Sequence, residues 1–138
     1  MANELAQNVS DASLNPVALA LPAAASTSVT SAVIDFGADT FKPRNLELEL
    51  SIPALSDTIA PNTRTVTAIW ETSTTSVFTA VARTIYSKIM TGAGSGIAAS
   101  LHRCRLPSDC ERYVRWKVTF GASTTDGSAV SGTGRVLF

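Results

Sequence analysis

The chain has a single histidine, His102, and two cysteines, Cys104 and Cys110, with no Cys-x-x-Cys spacing anywhere. Catalysis of the Ser/His/Asp or Cys/His kind would therefore hang on His102 alone. Its neighbours Arg103 and Arg105 carry positive charge, a poor setting for a general base, so a solvated or interface histidine is expected. A zinc site built from His102, Cys104 and Cys110 lacks a fourth ligand. No run of about 18 apolar residues occurs, so no membrane-spanning helix is expected. The N-terminus has no basic region leading into a long apolar core, so no secretory signal is expected and synthesis in a cytoplasm is. The 11 basic and 11 acidic residues cancel, which removes any global attraction to nucleic acid or anionic membrane. The carboxylates Glu47 and Glu49 alternate with leucines, which reads as a water-facing solubility pattern with no apolar pocket to raise a pKa. No enzyme, cofactor or metal is expected from these absences.

What is present is alternation. In Arg112–Phe120, Val114, Trp116, Val118 and Phe120 alternate with Tyr113, Arg115, Lys117 and Thr119. A strand turns successive side chains to opposite faces, so this run has one apolar face and one wet, largely cationic face. Its aromatic and β-branched residues make it the firmest strand in the chain and the expected anchor of the core. Leu46–Ile52 is the next cleanest, with Leu46, Leu48, Leu50 and Ile52 inward and Glu47, Glu49 and Ser51 outward.

Further strands are expected at 16–21, 29–36, 64–71, 97–106 and 129–138, separated by Pro-, Gly- and Ser-rich turns. In the second of these, Val29, Ser31, Val33 and Asp35 share one face, and Thr30, Ala32, Ile34 and Phe36 the other. Residues 77–90 are ambiguous. Val77, Val81, Ile85 and Ile89 recur every fourth residue, as on a helix, but β-branched and aromatic residues dominate, so a broken strand is favoured over a short helix. Thr91–Gly96 has a Gly-x-Gly-x-Gly look. Without a following helix or an internal basic residue, it reads as a flexible hairpin loop and not as a phosphate cradle. About eight short strands fit an all-β domain, a β-sandwich or jelly-roll-like fold over residues 16–138. Residues 1–15 are polar and weakly periodic, with Leu5 and Val9 spaced for one helical turn, and are expected to form an extended N-terminal arm.

Charge is divided along the chain. Residues 1–80 carry 8 acids and 3 bases, a net of 3 − 8 = −5, and residues 81–138 carry 8 bases and 3 acids, a net of 8 − 3 = +5. Either strands from the two halves pair inside one sandwich, or complementary patches meet between copies. For Cys104 and Cys110, which bracket Arg105-Leu106-Pro107-Ser108-Asp109, three readings stay open: two free thiols, a disulfide across the turn, and the ligand-poor zinc site. Arg112, Arg115 and Lys117 with Tyr113 make a basic face too small to argue for nucleic acid.

Two stretches resemble a known family. Ser26-Thr27 through Val33-Ile34-Asp35-Phe36-Gly37 is similar to the opening of the small cement (decoration) proteins of tailed-phage capsids. Arg105-Leu106-Pro107-Ser108-Asp109 followed by Glu111-Arg112-Tyr113-Val114-Arg115 looks like that family's entry to its penultimate strand, and the Gly/Thr-rich hairpin and closing strand to Phe138 match its ending. Cys104, Cys110 and the long polar arm depart from its pattern. The resemblance implies a jelly-roll-like sandwich that self-associates as a homodimer or homotrimer on the capsid exterior of a virion and bridges major capsid protein subunits. The contact residues expected on that basis are Leu5, Val9 and Leu14 in the arm and Tyr113, Arg115 and Lys117 on the outward face. A carbohydrate- or receptor-binding β-sandwich module is the alternative, and a minor tail or head-completion protein a third.

Overall fold

The computed structural model of the chain describes residues 18–37, 46–79 and 83–137. Among these residues there are nine strands and no helix: β1 (Leu19–Ala20), β2 (Ser28–Thr30), β3 (Ile34–Asp35), β4 (Glu47–Ile52), β5 (Thr65–Ser73), β6 (Arg83–Thr91), β7 (Ser100–Arg105), β8 (Tyr113–Phe120) and β9 (Ser131–Leu137). Every pairing is antiparallel. One sheet runs β1-β9-β4-β7 and the other β2-β8-β5-β6, with β3 also on β8. The all-β sandwich expected from the alternation is the fold the chain adopts. Leu5, Val9 and Leu14 of the expected arm, the turn at 39–44 and Val81 lie outside the described residues.

β8 shows why the alternation is so clean. It is flanked on both sides, so each inward residue (Val114, Trp116, Val118, Phe120) is fully covered while Tyr113, Arg115, Lys117 and Thr119 are only half-covered. Its partner β5 repeats the pattern with Val66, Ala68 and Trp70 inward, and the register sets Trp70 directly opposite Trp116. The two indoles need a flat surface to lie on, and β9 of the facing sheet supplies it. Its inward positions are Gly132, Gly134 and Val136. A Cβ at Gly134 would fall 2.7 Å from Trp116 Nε1 and 3.0 Å from Trp70 Cζ2, and one at Gly132 would fall 3.1 Å from Trp116 Cη2. The bare backbone of β9 is thus the floor under both rings. Leu48, Leu50 and Ile52 of β4 fill the same layer, all fully buried.

Three expectations are revised by tertiary context. The predicted strand at 29–36 is two strands, because Thr30 pairs with Lys117 and Ile34 with Val114, four residues against three. One extra residue reverses which side faces in, as a one-residue slip in a sheet must. Val29 and Ile34, expected on opposite faces, therefore both pack on the core. Ser31 holds the break: its N–H donates to Trp116 O at 2.9 Å, and its Oγ accepts from Trp116 N–H at 3.0 Å.

Glu49, expected in water, is only 4% exposed. Ser73, expected in a loop, is the last residue of β5. Of the helix-like stripe, Ile85 and Ile89 lie on strand β6, and Val77 and Ile89 are exposed, so the four-residue spacing does not mark a buried face.

The glycine-rich loop after β6 is a tight turn closed by reciprocal Ala93–Gly96 backbone bonds of 2.9 Å each. Gly96 has φ +86°, and a Cβ there would run into Leu55 O. Only glycine meets both demands.

Gly134→Ala is expected to destabilise the fold by about 1–3 kcal/mol through overpacking, and Trp116→Ala by about 3–5 kcal/mol through cavity formation. Urea unfolding followed by far-UV circular dichroism checks both. A Gly134→Ala midpoint equal to wild type would refute the glycine floor.

Candidate functional site

The outer faces of the two sheets are built alike. On the four-stranded sheet, Glu49 in the middle strand β4 lies in register with Arg103 of β7 and Arg135 of β9. Arg103 Nε donates to Glu49 Oε2 at 2.7 Å, and Arg135 Nε lies 2.9 Å from Oε1. On the five-stranded sheet, Glu71 of β5 faces Arg115 of β8, with 2.5 Å between Arg115 Nε and Oε1, and Lys117 Nζ lies 3.9 Å from Oε2. The Phe78 ring covers the other side of the Arg115 guanidinium, 4.1 Å from ring centroid to Cζ. Each sheet thus carries one buried carboxylate paired with two partly exposed cations, from both flanking strands at Glu49 and from β8 alone at Glu71, with one positive charge in excess. The carboxylate accepts charge-assisted bonds, and the arginine stems shield it from water.

Tyr113, Arg115 and Lys117, the residues expected to make contacts on the outward face, do share the outer face of the five-stranded sheet. Arg115 and Lys117 are committed to Glu71, and Tyr113 lies under the Arg112 guanidinium, 5.0 Å from its centroid. The charge halves of the sequence meet here. Asp35, Glu49 and Glu71 from the first half pair with Arg112, Arg103, Arg135, Arg115 and Lys117 from the second. Pairing within one sandwich thus takes up part of the asymmetry, with three of the eight first-half acids engaged.

The two stretches that carry the family likeness are neighbours in space. Ile34 and Asp35 pair with Val114 and Tyr113, and Phe36 N–H donates to Arg112 O at 3.0 Å. Arg112 clasps Asp35 with two bonds, Nε to Oδ1 at 2.7 Å and Nη2 to Oδ2 at 2.8 Å, while Gly37, at φ +82°, donates its N–H to Oδ1 at 2.8 Å. The Arg112 guanidinium and the Gly37 N–H hold the Asp35 carboxyl down at about 2. The Leu106–Arg112 turn is pinned by Leu106 N–H on Leu46 O at 2.8 Å and by Thr72, whose Oγ1 donates to Tyr113 O at 2.9 Å and accepts from Glu111 N–H at 3.0 Å. Arg83 closes it from β6, donating to Asp109 Oδ2 at 2.5 Å and Oδ1 at 3.1 Å.

Cys104 and Cys110 are not joined in a disulfide. Cys104 lies on β7 opposite Leu48, and burial, with the Glu47 charge, pushes its thiol up to about 11. Cys110 is buried against Thr72 Oγ1 at 3.3 Å. Among the described residues no cluster of three or more His, Cys, Asp or Glu could hold a metal ion.

His102 is half-buried, with Nε2 covered and without a hydrogen-bond partner among the described residues, so the expectation of a solvated ring is revised. Strand alternation turns its sequence neighbours Arg103 and Arg105 away. Burial, and then Lys88 from the facing sheet, lower its pKa.

Sequence reasoning missed one feature. β6 and β7 end their sheets on the same side of the sandwich, each paired on one edge only among the described residues. Ile89 of β6 and Leu101 of β7 flank that side at 60% and 56% exposure. The spacing of residues 83–91 marks a strand but not its place at a sheet edge.

No family model matches the chain, and no curated protein does. Among solved structures it is similar to the phage PBSX exported protein XepA: 16% identity, TM-score 0.53, covering 94% of this chain and 38% of that one. This chain thus spans well under half of XepA, and the likeness shows a shared fold.

Two outcomes are expected. Without reductant, a thiol reagent at mildly alkaline pH should label neither cysteine quickly in the native protein and both in guanidinium; a count below two on unfolding would mean a disulfide. Because the folded Asp35 pKa lies below its ordinary value of 3.8, its contribution to stability is full above that value and fades as pH falls through about 2. The stability gap between wild type and Asp35→Asn should therefore be present at neutral pH and close across that window. A gap constant with pH would contradict the assignment.

Proposed function

We propose that the chain is a structural phage protein that decorates the exterior of an icosahedral capsid, bridging major capsid protein subunits and cementing the shell. The observation that carries this reading is the likeness over 94% of the chain to XepA, named as an exported protein of phage PBSX. The juxtaposition of the two family-like stretches around the Arg112–Asp35 clasp supports it. On this reading the protein works by adhesion and not by catalysis. Residues 1–15, with Leu5, Val9 and Leu14, reach to the shell, and the face of Tyr113, Arg115 and Lys117 lies against capsid surface. Each copy needs only a modest interface, because many copies on one shell multiply a weak contact.

The carbohydrate-binding alternative is disfavoured by one observation. Such modules present aromatic rings to solvent, whereas Trp70, Trp116 and Phe120 are fully buried.

The test is to purify native particles and count this chain per shell by quantitative mass spectrometry. Hundreds of copies are expected; a dozen or fewer would indicate a tail or vertex component, and none would overturn a virion role. A chain lacking residues 1–15 should keep its circular dichroism spectrum and lose binding to undecorated shells. Full occupancy by the truncated chain would refute the role of the arm.

A further inference from the structure

We infer that the free edge of β6 is a self-pairing surface through which two copies of this chain form a two-fold dimer, joining their five-stranded sheets into one. This narrows the self-association in the reading above from dimer or trimer to dimer, and it stands on geometry whether or not the protein binds a capsid.

β6 is long, rich in β-formers, and paired only to β5 among the described residues. Such an edge presents unpaired N–H and C=O groups and acts as a template for another strand. The other edges suit this less well. β1 and β2 are 2 and 3 residues long. β7 is shorter, at 6 residues, and a two-fold centred on Cys104 would set Arg103 opposite Arg105.

β6 also limits its own register. Trp70 pairs with Tyr86 and Glu71 with Thr84, which leaves Ile85 as a bulge and confines the regular stretch to Tyr86–Thr91. An antiparallel pair about a two-fold axis keeps each face continuous, so residues opposite one another come from the same side of the sheet. Centring on Lys88 would set two ammonium groups face to face. Centring on Ile89 keeps the pairing within the regular stretch. There Ile89 meets its own copy on the outer face, Ser87 faces Thr91, and Lys88 faces Met90, so no like charges meet. The large exposed apolar side chain on β6 is thereby covered by its symmetry mate.

The test uses the full chain. Sedimentation velocity is expected to show a dimer for wild type, and Ile89→Lys, at an exposed outer-face position, to weaken it by about tenfold or more with an unchanged thermal melt. Ile89→Cys should form an intermolecular disulfide on mild oxidation, with Cys104 and Cys110 left unmodified. A wild-type monomer or trimer overturns the inference, as does an Ile89→Lys chain that dimerises as well as wild type. Failure here leaves the copy count on particles unaffected, so the two readings fail separately.

Discussion

Two indoles resting on the glycines of a facing strand is the constraint from which the rest of this structure follows. Trp70 and Trp116 face each other across β5 and β8, and the space they require is available only because β9 presents Gly132 and Gly134 inward. Buried rings of this size each remove roughly 150–250 Å² from water, so their placement fixes the spacing of the sheets locally and the register of β9 beneath them. The fit is tight enough that the Trp70 indole N–H is buried without an acceptor among the described residues. A buried, unbonded donor costs about 1–3 kcal/mol, and the surrounding apolar packing outweighs it.

Outside the core, the same economy recurs with charge. Glu49 and Glu71 each sit on a strand flanked on both sides, where a neutral residue would have sufficed for packing. Placing a carboxylate there lets one acceptor draw arginines or lysines from adjoining strands, so each ion pair also specifies which strand lies beside which, in what register. Asp35, Glu49 and Glu71, early in the chain, meet late bases because the strands that become neighbours come from different halves. Charges engaged in this way are less available to a partner, which leaves the Tyr113, Arg115 and Lys117 face less cationic than its composition suggests. The β6–β7 side, with backbone edges unpaired among the described residues and an exposed isoleucine and leucine, is the surface least satisfied by the described fold.

The family-like stretches illustrate how a motif can be structural before it is functional. Asp35 is needed to accept from Arg112 and from Gly37 N–H, and Pro107 and Asp109 shape a turn whose fate is tied to Arg83 and Thr72. These contacts serve the fold itself: they fix β3 against β8 and close the turn that leads into β8.

Local pattern determined the strands whose environment is symmetric. β8 read correctly throughout, and the inward residues of β4 and β5 with it, because a strand covered on one face and wet on the other writes its burial into every second residue. The all-β class was legible for the same reason. What only the tertiary structure decided was everything set by lateral neighbours. Glu49 is buried and Glu47 exposed, though both sit between leucines, because arginines from β7 and β9 close over the first. The strand at 29–36 breaks in two because the bulge opposite Lys117–Val114 reverses its faces. Residues 83–91 form an edge because nothing among the described residues lies beyond them. A sequence carries period two along a strand; which strand lies beside it is settled only when distant segments meet.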